Sequence, residues 1–218
     1  MFFPAQQGEL IDTWDVGGLR GTGSHDYAVR DLFVPATHTI TWGDPPRVSG
    51  ALYRLPRQAL LDNAMAALPL GIARTAIDTL LALAGGQKPA GTGPALVQRT
   101  TIQADVARAE AQYQAARAFL YDSVAKSWQS VQAGRELSVH EFAMLRLART
   151  HAVQAAVEAV DLMYTGAGGG AIYTKSPLER CFRDVHTITQ HVSMNPANYE
   201  VSGRIFLGLE PDRPLYRL

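Results

Sequence analysis

The residues with the clearest capacity for chemistry lie together between Thr165 and His191, in TGAGGGAIYTKSPLERCFRDVHTITQH. Gly166, Gly168, Gly169 and Gly170 make a loop whose backbone can approach a ligand closely and visit positive φ. Ser176 at an N-cap, Pro177 at the first helical position and Glu179 completing an S-x-x-E capping box then predict a helix start. Helical periodicity puts Asp184 and His191 seven residues apart on one face, with Arg180 and Arg183 one turn before, and turns the imidazole inward. A neutral imidazole there could donate to, or accept from, an oxygen on which charge develops. A histidine at a helix C-terminus is also favoured by the macrodipole alone. Arg180 and Asp184, at i,i+4, are most simply an intrahelical ion pair.

A second candidate group lies near the start of the chain. Thr22, Gly23 and Ser24 follow Arg20-Gly21 in a tight turn between predicted strands. Its N–H groups and hydroxyls could hold a phosphate or the polar edge of a ring, or serve turn geometry alone. Trp14 opens the preceding strand and could stack on a flat ligand or fill a core. Among the other histidines, His186 falls on a different helix face from His191, at solvent or an interface. His140 and His151 lack the HExxH spacing of a zinc site, so no metal is expected. Cys181 is the single cysteine, which excludes an internal disulfide and reads as packing. No GxSxG elbow, Walker loop or strand-borne GxGxxG occurs, and the GAGGG loop follows a helix.

The elements that must position these residues divide near residue 50. Trp14–Leu19, Tyr27–Val34 and His38–Trp42 read as strands, rich in β-branched and aromatic residues between Gly, Ser, Asp and Pro. From Pro56 on, the pattern is helical. One helix covers 57–85 and stops at Gly85-Gly86, a second runs from about Pro94 to Gln132, and a third opens on the Ser138/Glu141 capping box and continues to about Tyr164. The helix ending at His191 follows, and a last one spans Asn195-Pro196 to near Gly208. Long helices with short connections predict a mainly α chain: an antiparallel four-helix bundle preceded by a partial β-domain. The 218 residues carry 20 basic and 20 acidic side chains, so no overall field favours nucleic acid or an anionic membrane. No uninterrupted apolar run approaches the roughly 20 residues that span a bilayer, and the N-terminus lacks a secretory pattern. A cytoplasmic setting is expected.

Two stretches together resemble one family. DTWDVGGLRGTGSHDYAVRDLFVP is similar to the middle β-domain of the acyl-CoA dehydrogenase superfamily, where a W…GxRGTGS turn precedes a DxFVP strand. SPLERCFRDVHTITQH, with the glycines before it, resembles the superfamily's penultimate helix region, and the two long helices fit its C-terminal four-helix domain in order and length. The resemblance implies a partial middle β-domain over 1–50 and a C-terminal helical domain over 51–218. Full-length members begin with a helical domain that this chain lacks, so an N-terminally truncated chain is expected. In dehydrogenases of the family a Tyr-Glu-Gly commonly ends this helix and its glutamate abstracts a proton. Here His191 and Val192 stand instead.

That difference resembles the two-component flavin-dependent monooxygenases, such as the dibenzothiophene, hydroxyphenylacetate and indoleacetate oxygenases. The resemblance implies reduced FMN or FAD delivered by a separate flavin reductase, O2 as co-substrate, and a flavin C4a-hydroperoxide that oxygenates a small aromatic substrate. It makes His191 the catalytic residue. It also implies flavin contacts at Trp14, Thr22, Ser24, Lys88, Gln98, Gly169, Gly170 and Ala171, the last three in a loop that usually passes a neighbouring subunit's flavin, within a homotetramer. Lys88 stands where family members usually carry arginine. Two alternatives remain open at this point: a dehydrogenase that binds oxidised FAD and acts on a thioester, and a catalytically silent helical bundle serving oligomerisation.

Overall fold

Alanine seams set the packing of this protein. The computed structural model describes residues 1–41, 44–86 and 94–210. Its helices are α1 (Arg57–Met65), α2 (Ala67–Gly86), α3 (Thr100–Gln132), α4 (Val139–Ala167), α5 (Pro177–Ile188) and α6 (Asn198–Phe206). Helix α4 lies at the centre and touches α2, α3, α5 and α6. Ala148, Ala152, Ala155, Ala156 and Ala159 of α4 are buried, as are Ala109 and Ala116 of α3 and Ala73 and Ala76 of α2. Side chains this small let helix axes approach closely. Larger residues fill the ends of the seams: Ile77, Leu80, Val160, Met163, Leu178 and Val185 are fully buried in one cluster.

The helix boundaries follow from local chemistry. The predicted 57–85 helix is split at Ala66, because Pro69 has no N–H to offer the Met65 carbonyl. From Ala59 to Gly86 this pair is long and apolar enough by composition to cross a membrane, a property that counting uninterrupted runs had passed over. Here one face packs into the core while Leu60, Leu61, Leu68 and Leu81 stay exposed, and the pair carries Asp62 and Arg74 in ion pairs. The second long helix begins at Thr100 rather than Pro94, after a short 3-10 turn at Leu96–Gln98. It ends in a Schellman motif: the Arg135 N–H reaches the Ser130 carbonyl at 3.0 Å and the Gly134 N–H reaches Val131 at 3.1 Å. Gly134 takes the left-handed φ of 79° that this requires. The capping box at Ser138 and Glu141 forms as expected, with the Glu141 N–H on the Ser138 hydroxyl and the Ser138 N–H on Glu141 Oε2. The Ser130 hydroxyl donates to the same carboxylate, tying the end of α3 to the start of α4.

The strand region departs most from expectation. Among the described residues only β1 (Glu9–Ile11) and β2 (Asp26–Ala28) pair, antiparallel, with Leu10 opposite Tyr27. Trp14–Leu19 is irregular, and 38–41 close a 3-10 turn and extend without a ladder. Trp42 lies outside the described residues. Alternation gives a segment strand potential, but a ladder needs a neighbour, and two strands make a marginal sheet.

Among the described residues, one ion pair has both side chains almost wholly buried in the bundle. Arg149 Nη1 of α4 and Asp62 Oδ2 of α1 are 2.8 Å apart, each side chain 2 % exposed. Removing one partner strands a buried charge, so Asp62→Ala should lower unfolding free energy by about 3–5 kcal/mol in urea titration. Replacing both by apolar residues should recover most of it. The Glu141 carboxyl is held below the usual carboxylate range, first by the Ser130 hydroxyl, then by the Ser138 amide and hydroxyl and by Arg135. A depressed folded value contributes stability above the unfolded value and loses it as pH falls through the folded one. The melting temperature should therefore drop on acidification below the ordinary carboxylate range, and less steeply in Glu141→Gln.

Candidate functional site

Helix α5 grips the turn that precedes β2. Its adjacent charged residues act in opposite senses: Arg183 Nη1 donates to the Gly17 carbonyl at 2.6 Å, and Asp184 Oδ1 accepts the Leu19 N–H at 2.7 Å. Gly18 between them is buried, and a Cβ there would stand 2.2 Å from the Arg183 carbonyl oxygen. Only glycine permits that approach. Leu19 adopts a left-handed conformation at φ 53°, at a cost of about 1–2 kcal/mol. Its carbonyl is the hub of the turn, accepting from Trp14 Nε1 at 3.1 Å, the Thr22 N–H at 3.1 Å and the Thr22 hydroxyl at 2.9 Å. The Thr22 and Ser24 hydroxyls lie 3.1 Å apart.

These bonds correct the charge pattern expected on α5. Asp184 serves the Leu19 amide rather than Arg180, and Glu179 pairs with Arg183 through two contacts at 2.5 and 2.8 Å instead of completing a capping box. Ser176 is the N-cap, with Pro177 behind it, but its side chain makes no capping hydrogen bond. Cys181 is buried and burial pushes its thiol up, which fits a packing residue. His186 is bound to Asp161 at 2.8 Å and lies against Phe182.

Helix α5 also ends sooner than periodicity implies. The Thr187 and Thr189 hydroxyls turn back onto the Arg183 and His186 carbonyls, at 2.8 and 2.6 Å, and the helix closes at Ile188. His191 therefore sits beyond the helix, exposed, and shares no helical face with Asp184. Its Nδ1 accepts the Ser193 N–H at 3.2 Å. Val192 is 80 % exposed.

The expected ligand-binding residues fall into separate groups. Leu19 packs against the hydrophobic cluster that includes Ile188 and Met194, and Gly18 lies against Thr187, so the turn carrying Trp14, Thr22 and Ser24 faces the C-terminal half of α5. A cavity of about 920 Å³ opens between Leu19–Thr22, the face of α2 from Ala67 to Thr75, and Arg180–Asp184 of α5; Thr22 and Arg20 line it. The size suits a small-molecule site. Gly169 and Gly170 lie before the other end of α5. Twelve residues separate the two ends, about 18 Å at 1.5 Å per residue. A Cβ at either glycine would meet nothing within 4 Å, so no contact inside this chain demands glycine there. Ala171 is buried. Gln98 is exposed in the turn before α3, off the helix on which it was expected, and Lys88 lies outside the described residues.

Sequence reasoning missed Gly17, Gly18 and Leu19 as the docking turn, and Arg149 with Asp62 as a buried pair. Two signals were present: a Gly-Gly pair just before the GTGS turn, and arginines at 146 and 149 in an alanine-rich apolar run. Asp184→Ala should strip hydrogen-exchange protection from the Leu19 amide while α4 core amides stay protected, and Gly18→Ala should do the same by steric clash. Unchanged Leu19 protection in both would contradict this docking.

Comparison with known proteins identifies the family. The family described as "Acyl-CoA dehydrogenase, C-terminal domain" matches residues 63–196. Indole-3-acetate monooxygenase of Pseudomonas putida is 38 % identical over 208 residues, covering 95 % of this chain and 54 % of that protein. The oxygenase component of an FADH2-dependent resorcinol hydroxylase from a Rhizobium species is 30 % identical, covering 97 % of this chain and 56 % of its own. The crystal structure of 3-HSA hydroxylase from Rhodococcus sp. RHA1 superposes with a TM-score of 0.87 at 25 % identity, over 98 % of this chain and 57 % of that one. This chain thus spans about half the length of the curated relatives it matches. It belongs to the acyl-CoA dehydrogenase C-terminal domain family.

Proposed function

We propose that this chain works as part of a flavin-dependent monooxygenase, the oxygenase partner of a separate flavin reductase, acting on a small aromatic substrate. The observation that carries this reading is His191, exposed beyond the C-terminal end of α5 with Val192 after it, where the dehydrogenase pattern would put its glutamate. The named relatives, an indole-3-acetate monooxygenase and a resorcinol hydroxylase, support it.

The residues present fit a flavin. The turn offers the Thr22 and Ser24 hydroxyls beside a cavity walled by apolar α2 residues, suited to a flat ring with one polar edge. The open glycines at 169 and 170 leave backbone bare for a close approach. Because α5 holds that loop away from His191, the Leu19 turn and His191 of one copy and the glycine loop of a second copy in a homo-oligomer would together hold the flavin. Reduced FMN or FAD, when bound, supplies the activation of O2. The chain's own part is to orient the ring, exclude water and place the His191 imidazole as a hydrogen-bond partner for the reacting oxygen.

The test is anaerobic titration of the 218-residue chain with reduced FMN and FAD, followed by aerated turnover with indole and phenol substrates. Reduced flavin should bind. His191→Ala should retain binding yet lose product by roughly 10²-fold or more, the reducing equivalents leaving as H2O2. No flavin bound in either redox state, or full oxygenation in His191→Ala, would overturn the reading.

A further inference from the structure

The segment that carries His191 is irregular, yet it is pinned from beneath by two arginines of α4. Arg149 Nε donates to the Ser193 carbonyl at 3.0 Å, and the guanidinium is held by Asp62 of α1 at 2.8 Å. Arg146 Nη1 donates to Asn198 Oδ1 at 2.9 Å, and the Asn198 amide donates in turn to the Val192 and Asn195 carbonyls at 3.2 and 2.7 Å. Ser193, Met194 and Asn198 are all buried, whereas His191 is exposed. The exposed imidazole therefore stands on a buried, charge-anchored loop.

The same serine that receives Arg149 on its carbonyl gives its N–H to His191 Nδ1. A backbone N–H can only donate, so Nδ1 must present its lone pair, and a neutral ring then carries its proton on Nε2. We infer that Arg149, anchored by Asp62, is a positioning residue that fixes the Ser193 peptide groups and thereby holds His191 as the Nε2–H tautomer. This deepens the proposed function and rests on it for its chemical meaning. Of the two roles open to the ring, Nε2 is committed to donating a hydrogen bond outward, and base chemistry through Nδ1 is closed.

The measurement is long-range 1H–15N NMR on 15N-histidine-labelled protein, at a pH roughly two units above the ordinary imidazole value of about 6.5. The native chain should show His191 with a bare Nδ1 and a protonated Nε2. A protonated Nδ1, or one averaged pattern, overturns the inference directly. In Arg149→Met the His191 pattern should collapse toward the averaged free imidazole, while the His186 and His151 signals stay put, and Arg149→Lys should restore part of it. Because taking the Arg149 charge away from buried Asp62 can unfold the bundle, Asp62→Leu/Arg149→Met, in which both charges leave together, is the second variant. If it folds with the native His191 tautomer, Arg149 is not the positioning residue. The outcomes separate the two readings. A fixed tautomer lost with Arg149 in a chain that binds no flavin refutes the function and keeps the inference. Flavin-coupled oxygenation with an averaged His191 does the reverse.

Discussion

The contact between the Asp184 carboxylate and the Leu19 N–H joins the two parts of this chain. Without it, the turn before β2 keeps the Arg183 bond to the Gly17 carbonyl as its polar tie to α5. The segment nearer α1 is held separately by Arg54 on the Val131 carbonyl. The sheet is a pair of three-residue strands, and Phe33 and Ile40 are exposed. With the Asp184 contact, a left-handed leucine becomes affordable, and the leucine carbonyl can gather the Trp14 indole, the Thr22 amide and the Thr22 hydroxyl. Gly18 is the steric condition for that contact and Arg183 its second anchor. The turn that carries Thr22 and Ser24 is thus shaped by α5, a helix far along the sequence.

Helix α5 is also the ruler of the site. It separates the glycine loop from His191 by its own length and keeps the Leu19 turn with the histidine end. Its short span follows from competition between threonine hydroxyls and backbone donors for the last carbonyls. A longer helix would have carried His191 on a rigid face. The shorter one leaves the ring on a loop whose rigidity is supplied from below by Arg146 and Arg149.

Much of the helical architecture is legible in the sequence because its causes are local. Gly134 and the Ser138/Glu141 box each mark a boundary through hydrogen bonds within a few residues of themselves. The strands are not legible in this way: Trp14–Leu19 has strand-forming residues, but what it becomes depends on a contact with Asp184. The same holds for the site. His191, Thr22 and Ser24 stand out by type, whereas their arrangement depends on Leu19, Gly18 and Arg149, whose roles arise only from contacts made across the fold. The ion pair expected between Arg180 and Asp184 was displaced for that reason, since a buried-edge amide outcompetes a solvated guanidinium for one carboxylate.

The central claim is that α5 divides a flavin site between two copies of the chain, with the Leu19 turn and His191 on one and the Gly169–Gly170 loop on the other. The most direct measurement is a crystal structure of the reduced-flavin complex. The expected result is a ring within hydrogen-bond reach of His191 Nε2 and of the Thr22 or Ser24 hydroxyl of one copy, with Gly169 and Gly170 of a second copy against the same flavin. A ring enclosed by His191 and the glycine loop of a single copy, or one bound away from His191 altogether, would contradict it.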